Sequence, residues 1–251
     1  MQTNQNNTMA GLYLYAIVDA AGPLAQITGI DDQPVRAVVR QSLAAVVSRV
    51  PACRLRPERR NLMAHQKVLA SFGFGRGVLP LRFGVVLPDE SKVQFILETH
   101  EADLLRQLTR VRGRVEMGLR VKWKEEDVFK NVLELNPGLR QIRDRMPNTR
   151  EAAIEIGRQV AQALERERQR QQTLLREVLD GGVVEFCFNV PKDDAQLLNA
   201  ACLIPCDGAA QFESGVHRLG AMLDERYLID LNGPWAPHNF ILLNMAMEGH
   251  C

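Results

Sequence analysis

The chain has 251 residues, a formal net charge of +1, 46% hydrophobic residues and 24% charged residues. These are ordinary globular values, with room for one large domain or two of ordinary size. So small a net charge predicts no long-range attraction to nucleic acid or to an anionic membrane, and no stretch approaches the roughly 20 apolar residues of a membrane span.

The opening MQTNQNNTMA is polar and lacks a charged region followed by an apolar one, so it does not read as a secretory signal. Residues 1–9 are expected to be a disordered tail, and Met9 is a candidate start, because the first strand begins just after it. LYLYAIV at 12–18 reads as a buried strand, rich in aromatic and β-branched side chains. LAAVVSRV at 43–50 reads as a second strand, closed by Pro51. A helix is expected over 57–72, with Pro57 at its start and Leu62, Val68, Leu69 and Phe72 available to the core. FGFGRG at 72–77 follows a helix and precedes a strand, the reverse of a dinucleotide-binding loop, so it reads as a tight bend. VLPLRFGVV at 78–86 reads as a strand interrupted by Pro80, with Arg82 buried and paired within it.

Asp89 offers an N-cap to a helix running to about Arg110, whose core stripe is Val93, Ile96, Leu97, Leu104, Leu105 and Leu108. VEMGLRVKW at 115–123 alternates as a half-exposed strand, with Val115, Met117, Leu119, Val121 and Trp123 inward and Glu116, Arg120 and Lys122 outward. Pro137-Gly138 and Pro147 punctuate the connection that follows.

A long helix is expected over 150–180, with an apolar stripe of Gly157, Val160, Ala161, Leu164, Leu175 and Val178. Its middle, ERERQRQQ at 165–172, is polar on every side and is expected to face water or a partner. VVEFCFNV at 183–190 and ACLIP at 201–205 read as strands, 208–223 as a helix, and 226–241 as a last strand running into a proline-rich tail. The resulting fold class is α+β with two domains, each a mainly antiparallel sheet covered by helices. The expected organisation is the tail 1–9, a first domain over 10–125, a connecting segment over 126–149 and a second domain over 150–251.

Chemistry-bearing patterns are sparse. Cys53, Cys187, Cys202, Cys206 and Cys251 are scattered and odd in number, which fits free thiols better than a disulfide scaffold. His65, His100, His217, His238 and His250 lack metal-ligand spacing, and no GxSxG elbow or paired apolar carboxylate occurs. The basic run RLRPERR at 54–60 has no interleaved aromatics, so it reads as a solvated helix start or a contact for an acidic partner surface. Arginine outnumbers lysine, which suits protein interfaces and follows equally from a GC-rich genome.

Four segments in order resemble the gas vesicle protein F/L family, and they cover about residues 10–243. They are LYLYAIV at 12–18, VLPLRFGVV at 78–86, EIGRQVAQALERER at 155–168 and LNGPWAPHNF at 231–240. Ala236 and His238 depart from the family's usual proline and tyrosine in the last motif, and the chain leans towards the F type. The resemblance implies a ferredoxin-like second domain and a cytoplasmic, gas-vesicle-associated role in vesicle formation. It implies contact with the small hydrophobic shell protein and with other accessory proteins, and no enzyme activity, cofactor or metal. It singles out Arg82, Phe83 and Gly84, then Glu155, Gly157 and Arg158, then Gly233, Pro234, Trp235, Pro237 and Phe240, as interaction or structural residues. Trp235 is expected to pack into its own domain, with the tail ordered around it. The competing readings are an enzyme with an unrecognised site and a nucleotide- or nucleic-acid-binding module.

Overall fold

A computed structural model of the chain describes residues 10–22, 24–51, 55–73, 75–124 and 127–242. The expectations for the tail 1–9, Met9, Cys53, Phe74, His250 and Cys251 lie outside the described residues. The described residues form two compact units: those up to Glu116 together with those from Trp235 onward, and Met117–Pro234. The segment expected to connect two domains, 126–149, thus falls within the second unit, while the end of the chain groups with the first.

In the first unit, β1 (Ala10–Asp19) is the central strand. It pairs antiparallel with β3 (Leu43–Pro51), and β3 pairs antiparallel with β2 (Arg36–Arg40), an edge strand that the sequence reading missed. On its other side β1 meets β4 (Val78–Pro80) and β5 (Val86–Leu87), both antiparallel. The expected single strand over 78–86 is therefore two short strands around a turn.

Both faces of this sheet are covered. Leu12, Leu14 and Ile17 of β1 pack against Val93, Ile96 and Leu97 of α2 (Glu90–Thr99) and Leu104 and Leu108 of α3 (Glu101–Val111). Tyr13, Tyr15, Ala16 and Val18 face Val68 and Leu69 of α1 (Arg59–Ala70) and Ile30 of the 3-10 turn Ile30–Asp32. The side-chain alternation breaks because the pairing with β3 shifts register between Leu14 and Ala16. The bulge inserts one residue, so Tyr15 and Ala16 follow one another onto the same face. The helix expected over 89–110 is two helices that meet at His100, and Asp89 caps the first by accepting from the Lys92 N–H at 2.8 Å. Leu62 of α1, expected in the core, is 40% exposed.

β6 (Arg114–Trp123) carries the chain into the second unit. There the sheet order is β7 (Glu185–Phe188), β8 (Gln196–Pro205), β6 and β9 (Tyr227–Trp235), with β7 and β8 antiparallel. α4 (Val128–Leu135), α5 (Pro137–Arg145), the 29-residue α6 (Arg150–Val178) and α7 (Ala209–Met222) complete the unit. The fold class is α+β, two antiparallel sheets packed with helices.

The middle of α6 corrects an expectation. Its polar run does not face water on every side: Gln171 is buried and Glu167 half-buried. The Glu167 carboxylate accepts from the Tyr227 hydroxyl at 3.1 Å, the Gln171 amide at 2.7 Å and the Arg170 guanidinium at 2.8 Å. A helix can turn a polar group inward when that group finds partners, as the Glu167 carboxylate does here. These partners, with burial opposing them, hold the Glu167 pKa below its ordinary value.

Candidate functional site

The turn between β4 and β5 carries Arg82, Phe83 and Gly84. Gly84 has φ 96°, a left-handed conformation that costs a residue with a Cβ roughly 1–2 kcal/mol. Its N–H donates to the Tyr13 hydroxyl at 3.2 Å. That hydroxyl also lies within hydrogen-bond distance of Nδ1 of His65, at 2.9 Å.

Around this chain of hydrogen bonds the rings pack in edge-to-face, tilted and stacked pairs. Tyr13 and Tyr15 have centroids 4.7 Å apart, and Phe83 lies 5.9 Å from Tyr13 and 6.0 Å from His65. Tyr15 is held by Ser48 Oγ at 2.8 Å and accepts from the Ile30 N–H at 2.9 Å. Gly29 has no alternative here, since a Cβ at that position would collide with the Tyr15 hydroxyl.

Burial sets the protonation of the cluster. It pushes the phenols of Tyr13 and Tyr15 above their ordinary range, against hydrogen bonds from Gly84 and from Ser48 and Ile30 that pull them down. It pushes His65, 2% exposed, down to about 4; nearby His238 acts in the same sense and the backbone of Leu81 opposes. Burial lowers His238 as well. At neutral pH the cluster is an uncharged scaffold of rings.

Arg82 stands outside that scaffold. The expected buried, paired arginine is exposed, and among the described residues it makes no ion pair. The physical reason is the turn: Leu81 and Phe83 take the inward positions and leave Arg82 on the outer side.

The tail motif begins at the end of β9, where Gly233 has φ 119° and the Gly233–Pro234 peptide is cis. Pro234 is exposed, and Trp235, expected to close the core, is 46% exposed. The buried anchors are instead Pro237 and Phe240. The tail is ordered through 242 by side chains that pair with its backbone. Glu116, 6% exposed, accepts from the Asn239 N–H at 2.8 Å and from its side-chain amide at 2.6 Å. Gln107 pairs both ways with Leu242, donating to its carbonyl at 2.9 Å and accepting from its N–H at 2.8 Å. Glu116 thus lies inside, not on the outward face of β6 that strand alternation predicts. Burial raises its pKa, while the two hydrogen bonds from Asn239 pull it down.

Within the first unit the turn at 82–84 is thus held through Tyr13, and the tail residues 237–242 through Glu116 and Gln107. The third motif is placed differently. Glu155 and Arg158 form an exposed i,i+3 pair at 2.6 Å on α6, and a Cβ on Gly157 would meet nothing within 4 Å. Sequence reasoning missed Tyr13, Tyr15, His65, Glu116 and Gln107 as organisers of the site. Tyrosines at i and i+2 in an apolar strand were the available signal, because buried hydroxyls need partners. Among the described residues no group of three or more His, Cys, Asp and Glu could hold a metal ion, and no helix is long and apolar enough to cross a membrane.

Comparison with known proteins covers nearly all of this architecture. The family model for the gas vesicle synthesis protein GvpL/GvpF matches residues 11–241. Gas vesicle protein F of Streptomyces sp. (strain CB03234) is 34% identical over 237 residues, 91% of this chain and 98% of the relative. Gas vesicle protein L of the same organism is 29% identical over 238 residues, 84% of this chain and 85% of the relative. The crystal structure of GvpF from Anabaena sp. PCC7120 matches with a TM-score of 0.80 at 28% identity, covering 92% of this chain and 98% of that one. GvpF from Microcystis aeruginosa matches with a TM-score of 0.78, also at 28% identity, over 92% of this chain and 98% of that one.

Proposed function

The chain belongs to the gas vesicle GvpL/GvpF family, and we propose that it is a non-enzymatic accessory or minor shell protein of the F type, needed for gas vesicles to form. In this reading it works in the cytoplasm and at the vesicle, meeting the small, very hydrophobic shell protein and other accessory proteins. The element order β6-α4-α5-α6-β7-β8-α7-β9, with spatial order β7-β8-β6-β9, supports reading the second unit as ferredoxin-like with α4 and α5 added after its first strand.

The observation that carries the contact reading is the contrast within the two motifs. Phe83 and Phe240 are tucked against the first unit, while Arg82 and Trp235 beside them are left exposed. Arginine and tryptophan are the side chains most often found at energetic centres of interfaces, and here each rides on a rigidly held segment, which lowers the entropy lost on docking. A wall subunit that aggregates unless shielded calls for apolar surface rimmed by polar groups in its soluble partner.

The test is deletion of the gene, electron microscopy of the cells and binding of the purified protein to the shell subunit. Loss of normal vesicles, and their return with the wild-type gene, is the expected result. Arg82→Ala is expected to melt like wild type yet restore vesicles poorly. Normal vesicles and unchanged buoyancy in the deletion strain sink the assembly role, and full rescue by Arg82→Ala sinks the contact role of that residue.

A further inference from the structure

α1 turns two unlike faces to its surroundings. Asn61, His65, Val68 and Leu69 are buried against the sheet. At about 100° per residue, Arg59, Met63, Gln66, Lys67 and Ala70 fall on the opposite arc, all exposed, with Leu62 on one flank and Arg60 on the other. Leu62 and Met63 are exposed by 40% and 60%, about 100° apart around the helix, so the outer side of α1 carries two exposed apolar side chains. Arg59, Arg60 and Lys67 lie on or beside this arc and Arg56 just precedes the helix, while Glu58 at its N-cap pairs with Arg60 at 3.1 Å. The chain as a whole carries only +1, so the positive excess is local to this surface. The first turn of α1 contains no acidic residue, and no side chain caps it, so the positive end of the helix dipole adds to the arginines there.

We propose that this outer face of α1 docks an acidic amphipathic helix of a partner protein. The occupant has apolar residues at helical spacing that cover Leu62 and Met63, and carboxylates on both flanks that meet the guanidinium groups and Lys67. Arginine's planar fork pairs with a carboxylate through two parallel hydrogen bonds, and three of the four cations here are arginines. A lipid surface fits less well: the broad apolar face of α1 is already spent on the core, and two side chains are too few to insert. This surface is separate from Arg82 and the tail, so it stands whether or not those residues meet the shell protein.

The test uses the full chain and three probes followed by fluorescence anisotropy or co-sedimentation. They are a synthetic Leu/Glu amphipathic helical peptide of about 20 residues, a scrambled peptide of the same composition, and phosphatidylserine–phosphatidylcholine vesicles. The amphipathic peptide is expected to bind, with amide exchange slowed over 59–70. The scrambled peptide and the vesicles are expected to bind at least about tenfold more weakly. Arg59→Glu with Lys67→Glu, and separately Leu62→Ser with Met63→Ser, should each weaken the peptide about tenfold or more. If a double variant loses its fold, Met63→Ser and Lys67→Glu alone carry the same comparison. Absence of peptide binding at about 100 µM overturns the assignment. So do equal binding of the scrambled peptide, unchanged affinity in the variants, and tighter binding to vesicles than to peptide.

Discussion

Tyr13 and His65 lie 52 positions apart, and the hydroxyl of one is hydrogen-bonded to Nδ1 of the other at 2.9 Å. Because the same hydroxyl also receives the Gly84 N–H, one buried oxygen ties the histidine to the turn that presents Arg82. Tyr13→Phe removes both bonds while keeping the ring. It is expected to lower unfolding free energy by about 1–3 kcal/mol, measured by chemical denaturation, and to speed amide exchange at Gly84. Exchange unchanged at Gly84 would mean that the turn holds itself.

The same histidine gives the fold a pH dependence. His65 sits at about 4 in the folded chain against an ordinary 6.5, so between those values the unfolded chain binds more protons. The contribution is complete above pH 6.5 and is lost as pH falls towards 4, an amount of about 3 kcal/mol. His238 shifts in the same direction, whereas the raised Glu116 has the opposite sign, its contribution fading as pH rises past the ordinary carboxylate range. The clean measurement is a difference: the stability gap between wild type and His65→Gln should shrink by about 3 kcal/mol from pH 7 to pH 4. A gap that stays constant with pH rules out a neutral His65 as the source.

Gly84→Ala forces a Cβ into the left-handed region at φ 96°. With nothing within 4 Å of that Cβ, the cost is conformational, not steric, and should be roughly 1–2 kcal/mol. Thermal melting is the check, and a Tm equal to wild type would mean that the turn relaxes to another conformation.

The tail is held by Glu116. Glu116→Ala leaves the Asn239 N–H without its carboxylate acceptor, at a cost of about 1–3 kcal/mol. Amide exchange should rise over 237–242 more than elsewhere in the first unit. A uniform rise would show a global loss of stability, not a released tail.

Trp235 and Trp123 offer a direct optical test, since Trp123 is 1% exposed and Trp235 46%. In a Trp123→Phe background, Trp235 emission should be red-shifted and open to quenching, and it should blue-shift when the shell subunit is added. Trp235→Ala should cost well under the roughly 3–5 kcal/mol of a fully buried aromatic. A larger loss would place Trp235 in the core after all.

Much of the fold was legible from local patterns. LYLYAIV, the α2–α3 core stripe, the Asp89 cap and the long α6 follow from periodicity and capping alone. β2 was missed because RAVVR is short and ends in charges, which here pair with Glu90 and Glu98 on α2. The candidate site was legible as motifs but not as geometry. RFG and PHNF could be quoted from the chain, yet nothing local said that Phe83 would turn in and Arg82 out, or that Glu116 would be drawn inside by Asn239.

The sequence by itself determined the class of fold, the order of most elements and the family, because those depend on spacings of a few residues and on motifs read along the chain. Tertiary structure alone decided which side chains of the turn at 82–84, of the tail and of Glu116 face outward or inward. That choice hangs on a bulge after Leu14, a left-handed Gly84, and hydrogen bonds that join residues 52, 71, 123 and 135 positions apart, none of which a local pattern contains.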